Sequence, residues 1–335
     1  MRFRGLRKYH FRKNACMIKK FTYTAGFLMA FSCTLSAQQE TQYTQFIFNK
    51  LSFNPAYAGS HVSPVLTAIY RNQWMGIEGA PNAQVLSYNQ PMLGERLGFG
   101  VTLSRSSIGI TKTLTADIAY CYRIPMRRGH LGIGIQFSPR NISQNWDDER
   151  LYSPTPAGTD IAIPVENTNK FVINFGAGFY YKNDKWFAGF GLPRVVKNNI
   201  DFVENGSALS REEWHLNGMG GLNFKAGDDI VITPQVLLKY VPHAPFDAEL
   251  NVSARMMNKF FAGLGYRAGG DTKGLGESLA VLAGIKATDK LFFCLSYDIG
   301  LTRLRKFSNG TIEATVSWDF NPPAPTSELP TGINF

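Results

Sequence analysis

The 335-residue chain carries 32 glycines, 13% aromatic residues and only 18% charged residues, which is apolar enough to fold but short of the charge a water-soluble surface normally carries. Its formal charge of +10 would suit a nucleic acid or an anionic surface. The excess sits at the front, however: Arg2, Arg4, Arg7, Lys8, Arg12, Lys13, Lys19 and Lys20 fall within residues 1–37, which hold no acid, and 27 basic against 25 acidic residues remain, so a nucleic-acid partner loses its support.

In chain order, the basic leader runs into Phe27-Leu28-Met29-Ala30-Phe31, then Cys33-Thr34-Leu35-Ser36-Ala37, then the polar Gln38-Gln39-Glu40. This is the pattern of a secretory signal peptide over residues 1–37, with cleavage expected after Ala37 and Met17 as an alternative start. Its apolar stretch is too short to span a bilayer as a helix. Two cysteines remain afterwards, Cys121 and Cys294. Far apart in strand positions, they read as small packed residues rather than a metal pair or a disulfide.

Residues 38–61 are mixed. Tyr43, Phe46, Ile47, Phe48 and Leu51 follow a loosely helical spacing, which suits a plug folded inward, a periplasmic contact or a flexible leader. Asn54-Pro55 with Ala58-Gly59 reads as a turn feeding the first strand.

From 62 to 320 the pattern is period two. Leu97, Phe99, Val101 and Leu103 alternate with Gly98, Gly100, Thr102 and Ser104, and Leu131, Ile133, Ile135 and Phe137 with Gly132, Gly134, Gln136 and Ser138. Ile312, Ala314, Val316 and Trp318 oppose Thr311, Glu313, Thr315, Ser317 and Asp319. Alternation alone suits a soluble sandwich or a membrane barrel. Runs of about nine to eleven residues favour the barrel, because a tilted strand needs that length to cross a bilayer. The expected strands are 62–72, 82–90, 97–105, 112–124, 129–139, 170–182, 186–193, 214–225, 229–240, 246–256, 259–267, 278–287, 290–302 and 311–320. Their even number predicts an all-β, antiparallel up-and-down transmembrane β-barrel of about 14 strands, with both termini on the periplasmic side of a bacterial outer membrane.

Loop lengths agree. Connections are brief after even-numbered strands, as at Asn183-Asp184-Lys185 and Met257-Asn258, and longer after most odd ones, with 139–169 and 193–213 the longest; 241–245 breaks the rule. A sandwich has no reason to segregate loops by parity. Tyr70, Trp74, Tyr180, Tyr181, Trp186, Trp214, Tyr240, Tyr266, Trp318 and Phe320 gather near strand ends, where interfacial girdles belong. Asp117, Arg123, Asp247, Glu249, Arg255, Arg267, Asp298 and Glu313 fall on the polar, lumen-facing sides, with both signs represented, as expected of charges that pair with one another.

No catalytic, cofactor or metal set assembles. His61, His130, His215 and His243 lack ligand spacing, and Gly-Ile-Gly at 132–134 is strand alternation rather than a phosphate loop. A non-enzymatic protein is the expectation.

Gln42-Tyr43-Thr44-Gln45-Phe46-Ile47-Phe48-Asn49 and Asn54-Pro55-Ala56-Tyr57-Ala58-Gly59-Ser60, followed by Arg71-Asn72-Gln73-Trp74-Met75-Gly76-Ile77-Glu78-Gly79-Ala80-Pro81, resemble the opening of the PorP/SprF family of type IX secretion membrane proteins. Leu237-Leu238-Lys239-Tyr240-Val241 with Ala244-Pro245, then Gly265-Tyr266-Arg267 and Ser296-Tyr297-Asp298, match later landmarks of that family in order. The Pro-rich tail at 321–335 departs from it and is expected to be a flexible extension. The resemblance implies a component of the type IX secretion or gliding apparatus. Its partners would be periplasmic and outer-membrane components of the machine and a secreted or surface-anchored cargo protein, besides membrane lipid. The alternative is a porin or lipophile transporter passing small molecules through the lumen. Asn54, Pro55, Tyr57, Arg71, Gln73 and Trp74 are the candidate partner contacts, since Trp and Arg dominate binding hot spots. Their structural alternative is a turn at 54–57, a Trp at the bilayer surface and an Arg capping the rim.

Overall fold

A computed structural model describes residues 42–146, 148, 167–200, 211–269 and 276–322. The expected signal peptide, over residues 1–37, and nearly all of the Pro-rich tail lie outside them. Fourteen antiparallel strands close into a barrel. They are β1 Val65–Asn72, β2 Asn82–Met92, β3 Leu97–Ile108, β4 Thr111–Met126, β5 Gly129–Gln144, β6 Thr168–Lys182 and β7 Trp186–Arg194. Next comes β8, which runs as His215–Leu222 and resumes past Asn223 as Phe224–Lys225, both pieces pairing with the following strand. The rest are β9 Ile230–Tyr240, β10 Asp247–Met256, β11 Phe260–Ala268, β12 Ser278–Lys286, β13 Leu291–Gly300 and β14 Thr311–Asp319. Each pairs with its sequence neighbour, and β14 pairs back onto β1 from Val65↔Asp319 to Asn72↔Ile312, so no edge is left open.

Burial runs opposite to that of a soluble sandwich. In β14, Thr311, Glu313, Thr315, Ser317 and Asp319 are buried while Ile312, Val316 and Trp318 are exposed. Ile135, Phe171 and Leu264 are each 64% exposed. Leaving such side chains in water forfeits roughly 1.5–3 kcal/mol each, and the band they form is stable only against hydrocarbon. No helix of the described residues is long and apolar enough to cross a membrane; the crossing is by strands.

The alternation also settles side-chain placement where strand-end position misled. Tyr180 shares parity with Asn174 on β6 and is buried in the lumen against Tyr57, not in a girdle. Tyr70, Trp186, Tyr240, Tyr266, Trp318 and Phe320 are exposed as expected.

Connections after even-numbered strands form one rim, the turn rim. At Met257-Asn258 both residues have positive φ, 52° and 49°, the requirement of a two-residue type I′ hairpin. Connections after odd strands form the opposite loop rim. There the β4–β5 hairpin reaches further than its alternation indicates, pairing out to Thr111↔Gln144. The ladder lapses between Thr115↔Arg140 and Ile118↔Phe137, next to Pro139, which has no N–H for β4.

The packed core lies inside the barrel and is supplied by the N-terminal segment. Residues 42–61 fold into the lumen as three 3-10 turns, Phe46–Phe48, Lys50–Ser52 and Pro55–Tyr57. Gln42 donates to Asp247, the first residue of β10 at the loop rim. Gly59 donates to Asn89 and accepts from Arg123, both toward the turn rim. The segment therefore runs through the lumen from the loop rim at Gln42 to the turn rim at Gly59.

Candidate functional site: the filled lumen

Three sectors of wall hold the plug. The first is ionic and lies at the seam of β1 and β14. Glu313 is fully buried and accepts the backbone N–H groups of Thr44 and Gln45 at 3.0 and 2.8 Å. Arg71 donates to the same carboxylate at 2.8 Å and to Asp298 at 3.2 Å. The Thr44 hydroxyl donates to Asp298 and accepts from Arg71 at 2.8 Å. Arg267, paired with Glu249 at 3.0 Å, reaches the same hydroxyl at 3.3 Å. Opposite charges on neighbouring strands thus pair across the lumen face, as their parity and mixed signs predict. Desolvated pairs of this kind are costly to break because the remaining partner is stranded.

The second sector is shaped by missing side chains. A Cβ on Gly98 would stand 2.0 Å from the Ala58 carbonyl oxygen, one on Gly134 2.4 Å from the Ala56 nitrogen, and one on Gly191 2.3 Å from the Phe53 oxygen. These glycines of β3, β5 and β7 let plug backbone lie directly on the wall. Asn54 fits the same groove. Its Oδ1 accepts from the Ala56 N–H at 3.0 Å, capping the third 3-10 turn, and its Nδ2 donates to the Phe179 carbonyl at 2.9 Å.

The third sector is apolar. Phe48 packs against Phe261 and Phe292, with ring centroids 5.2 Å away in each case. Phe46, Ile47 and Leu51 belong to one buried cluster with Leu237 and Leu282 of the wall. Lys50 is buried among them. Its ammonium donates to the Ile47 carbonyl at 3.3 Å and lies 4.6 Å from the Phe187 ring, with no carboxylate partner among the described residues. Cys121 and Cys294 are free, buried thiols on the lumen face; Cys121 Sγ lies 3.2 Å from the Ala56 carbonyl oxygen.

Of the six candidate contact residues, Asn54, Pro55, Tyr57 and Arg71 are buried in the lumen and bind other parts of this chain. Gln73 and Trp74 lie at the loop rim: the Gln73 N–H donates to the Pro81 carbonyl, and the half-buried Trp74, at φ 53°, donates its N–H to Thr311 Oγ1. A cluster that sequence reasoning did not single out also stands at this rim. Glu212, between β7 and β8, pairs with Arg140 at 2.6 Å and accepts from Asn174 and Asn198 at 2.9 and 2.8 Å. Burial tends to raise its carboxyl pKa, and Arg140, Asn198, Arg194 and Asn174 outweigh that, leaving it below the usual carboxylate value. A loop residue carries no periodicity that could have flagged it.

Solved structures share the architecture. The Ralstonia pickettii toluene transporter TbuX superposes with a TM-score of 0.50 at 8% identity, covering 80% of this chain and 92% of that one. The CymD monoaromatic hydrocarbon channel gives 0.49 at 13%, covering 85% and 95%, and the Acinetobacter baumannii outer membrane protein Omp33 gives 0.45 at 6%, covering 78% and 100%. At 8% identity the likeness to TbuX is one of fold. No curated protein matches the chain in sequence. The profile of type IX secretion system membrane proteins matches residues 35–318, spanning the plug and all fourteen strands but the last residue of β14, and the chain accordingly belongs to the PorP/SprF family.

Proposed function

We propose that this protein is an outer-membrane component of the type IX secretion or gliding machinery that docks periplasmic and outer-membrane partners and helps export or anchor particular surface proteins. In this reading the turn rim and the C-terminal tail face the periplasm, as short turns do in barrels of this class. The observation that carries it, given the family, is the filled lumen. An open porin needs an unobstructed path, whereas here buried side chains from Tyr43 to Ala58 occupy the interior. A barrel whose bore is occupied acts through its surfaces, and the half-buried Trp74 at the loop rim, next to the buried Gln73, is its candidate contact there. Asn54, Pro55, Tyr57 and Arg71 meet a partner only if the plug is exchanged.

Deletion of the gene tests the reading. Surface display of one or a few exported proteins is expected to vanish while small-solute uptake is unchanged, and co-purification from detergent-solubilised outer membrane is expected to recover the partners. Normal surface display in the deletion strain refutes it.

A further inference from the structure

We infer that the lumen is a polypeptide-binding site, occupied at rest by residues 42–61, and that a segment of the exported protein exchanges with them. The inference rests on the cargo-handling reading above and deepens it by naming what the lumen binds.

The wall reads main chain. Glu313 accepts two backbone N–H groups and Asn89 accepts a third, while Asn217 and Arg123 donate to the carbonyls of Phe53 and Gly59 at 3.1 and 2.7 Å. Every polypeptide offers these groups, so the recognition is tolerant of sequence. The wall is also cut to admit backbone, because Gly98, Gly134 and Gly191 leave room for a chain but not for a side chain of their own.

The plug contributes little structure of its own. Its elements are 3-10 turns of three residues each, too short to persist alone, so its conformation is imposed by the wall. Simple opening is disfavoured, because Leu237, Phe261, Leu282 and Phe292 face the lumen and would meet water. Exchange for another chain keeps them covered. The ligand class follows from what it replaces: a polypeptide segment with bulky apolar anchors, as at Phe46, Ile47 and Leu51, followed by small residues where the backbone lies on the wall, as at Ala56, Ala58 and Gly59.

The test locks the plug in the full-length protein in cells. A Cβ at position 100 stands 3.4 Å from the Ala58 Cβ, close to the ~3.5–4.5 Å separation of a disulfide; it also comes within 2.7 Å of the end of the flexible Leu51 side chain, which has to turn aside, so the Gly100→Cys single variant is the control for that displacement. In the pair Ala58→Cys and Gly100→Cys, oxidation with diamide is expected to reduce surface display to the level of the deletion strain, and reduction to restore it, while each single variant exports under both conditions. Normal display from fully oxidised pair overturns the inference and leaves the cargo-handling reading intact, whereas normal display without the gene defeats that reading itself. Should the reduced pair fail to export, the native thiols decide. Cys121 and Cys294 are expected to resist a maleimide at rest and to label during active export; equal protection in both states overturns the exchange.

Discussion

Arg71 on β1 and Glu313 on β14 are register partners at the seam where the barrel closes, with their charges 2.8 Å apart and both side chains almost wholly shielded. The same carboxylate holds the backbone of Thr44 and Gln45, so closure of the wall and seating of the plug depend on one group. Replacing Arg71 by Met leaves Glu313 buried beside Asp298 without its counter-charge, which is expected to cost about 3–5 kcal/mol, as for other broken buried pairs. The double change Arg71→Met with Glu313→Leu is expected to regain part of that loss. Urea unfolding of vesicle-reconstituted protein measures both; equal stability of the wild type and Arg71→Met would show that the pair is not structural.

The glycines on which the plug backbone lies should be sharply distinct from a glycine with open space around it. Gly98→Ala and Gly134→Ala force a methyl group into backbone of Ala58 and Ala56, whereas at Gly218 the nearest atom to an added Cβ is the Leu238 Cβ at 3.8 Å. Overpacking of this kind typically costs about 1–3 kcal/mol, so both variants are expected to seat the plug poorly and to expose Lys50 to trypsin. Gly218→Ala is expected to match the wild type. Uniform resistance across the three variants would mean that the wall yields.

The strands were readable from sequence because each one meets two solvents, lipid outside and a packed polar lumen inside, and its side chains alternate accordingly. In β14 every second residue from Thr311 to Asp319 is polar, and the expected span 311–320 meets the observed Thr311–Asp319. β1 lacked that contrast. Val65, Thr67, Ile69 and Arg71 face inward, apolar and polar together, so nothing in the sequence showed that Arg71 belongs to the lumen rather than the rim. The reason is the plug, which makes parts of the interior apolar. The plug itself is hard to specify because three-residue 3-10 turns have no period, and Gly98 and Gly134 read as a generally small inner face rather than a cradle for the backbone of Ala56 to Ala58.

Lys50 is expected to be a liability to stability. It is a desolvated cation whose partners are a carbonyl oxygen and aromatic faces. An ammonium in that setting recovers little of its lost hydration. Lys50→Met keeps the length of the stem without the charge, and is expected to raise stability by about 1 kcal/mol or more, by the logic that well-packed apolar replacements of buried charges are often stabilising. The unfolding midpoint in urea is the readout. A marked loss of stability would indicate that the ring contacts more than offset the desolvation.

Glu212 sets an acid limit on the loop-rim cluster. Its folded-state pKa lies below the ordinary value of 4.5, so above about that pH both folded and unfolded chains are ionised and the ties to Arg140, Asn174 and Asn198 contribute in full. As pH falls below 4.5 toward the folded-state value, the unfolded chain takes up the proton first, and this contribution is progressively lost. Proteolysis of the β7–β8 connection, followed between pH 6 and pH 3 with an acid-active protease and corrected for the protease's own pH profile, is expected to accelerate over the lower part of that range. In Glu212→Gln the connection is expected to be cleaved faster at pH 6 and to lose most of its pH dependence, since the amide cannot ionise beside Arg140. A variant as resistant at pH 6 as the wild type would show that the loop is held by other contacts.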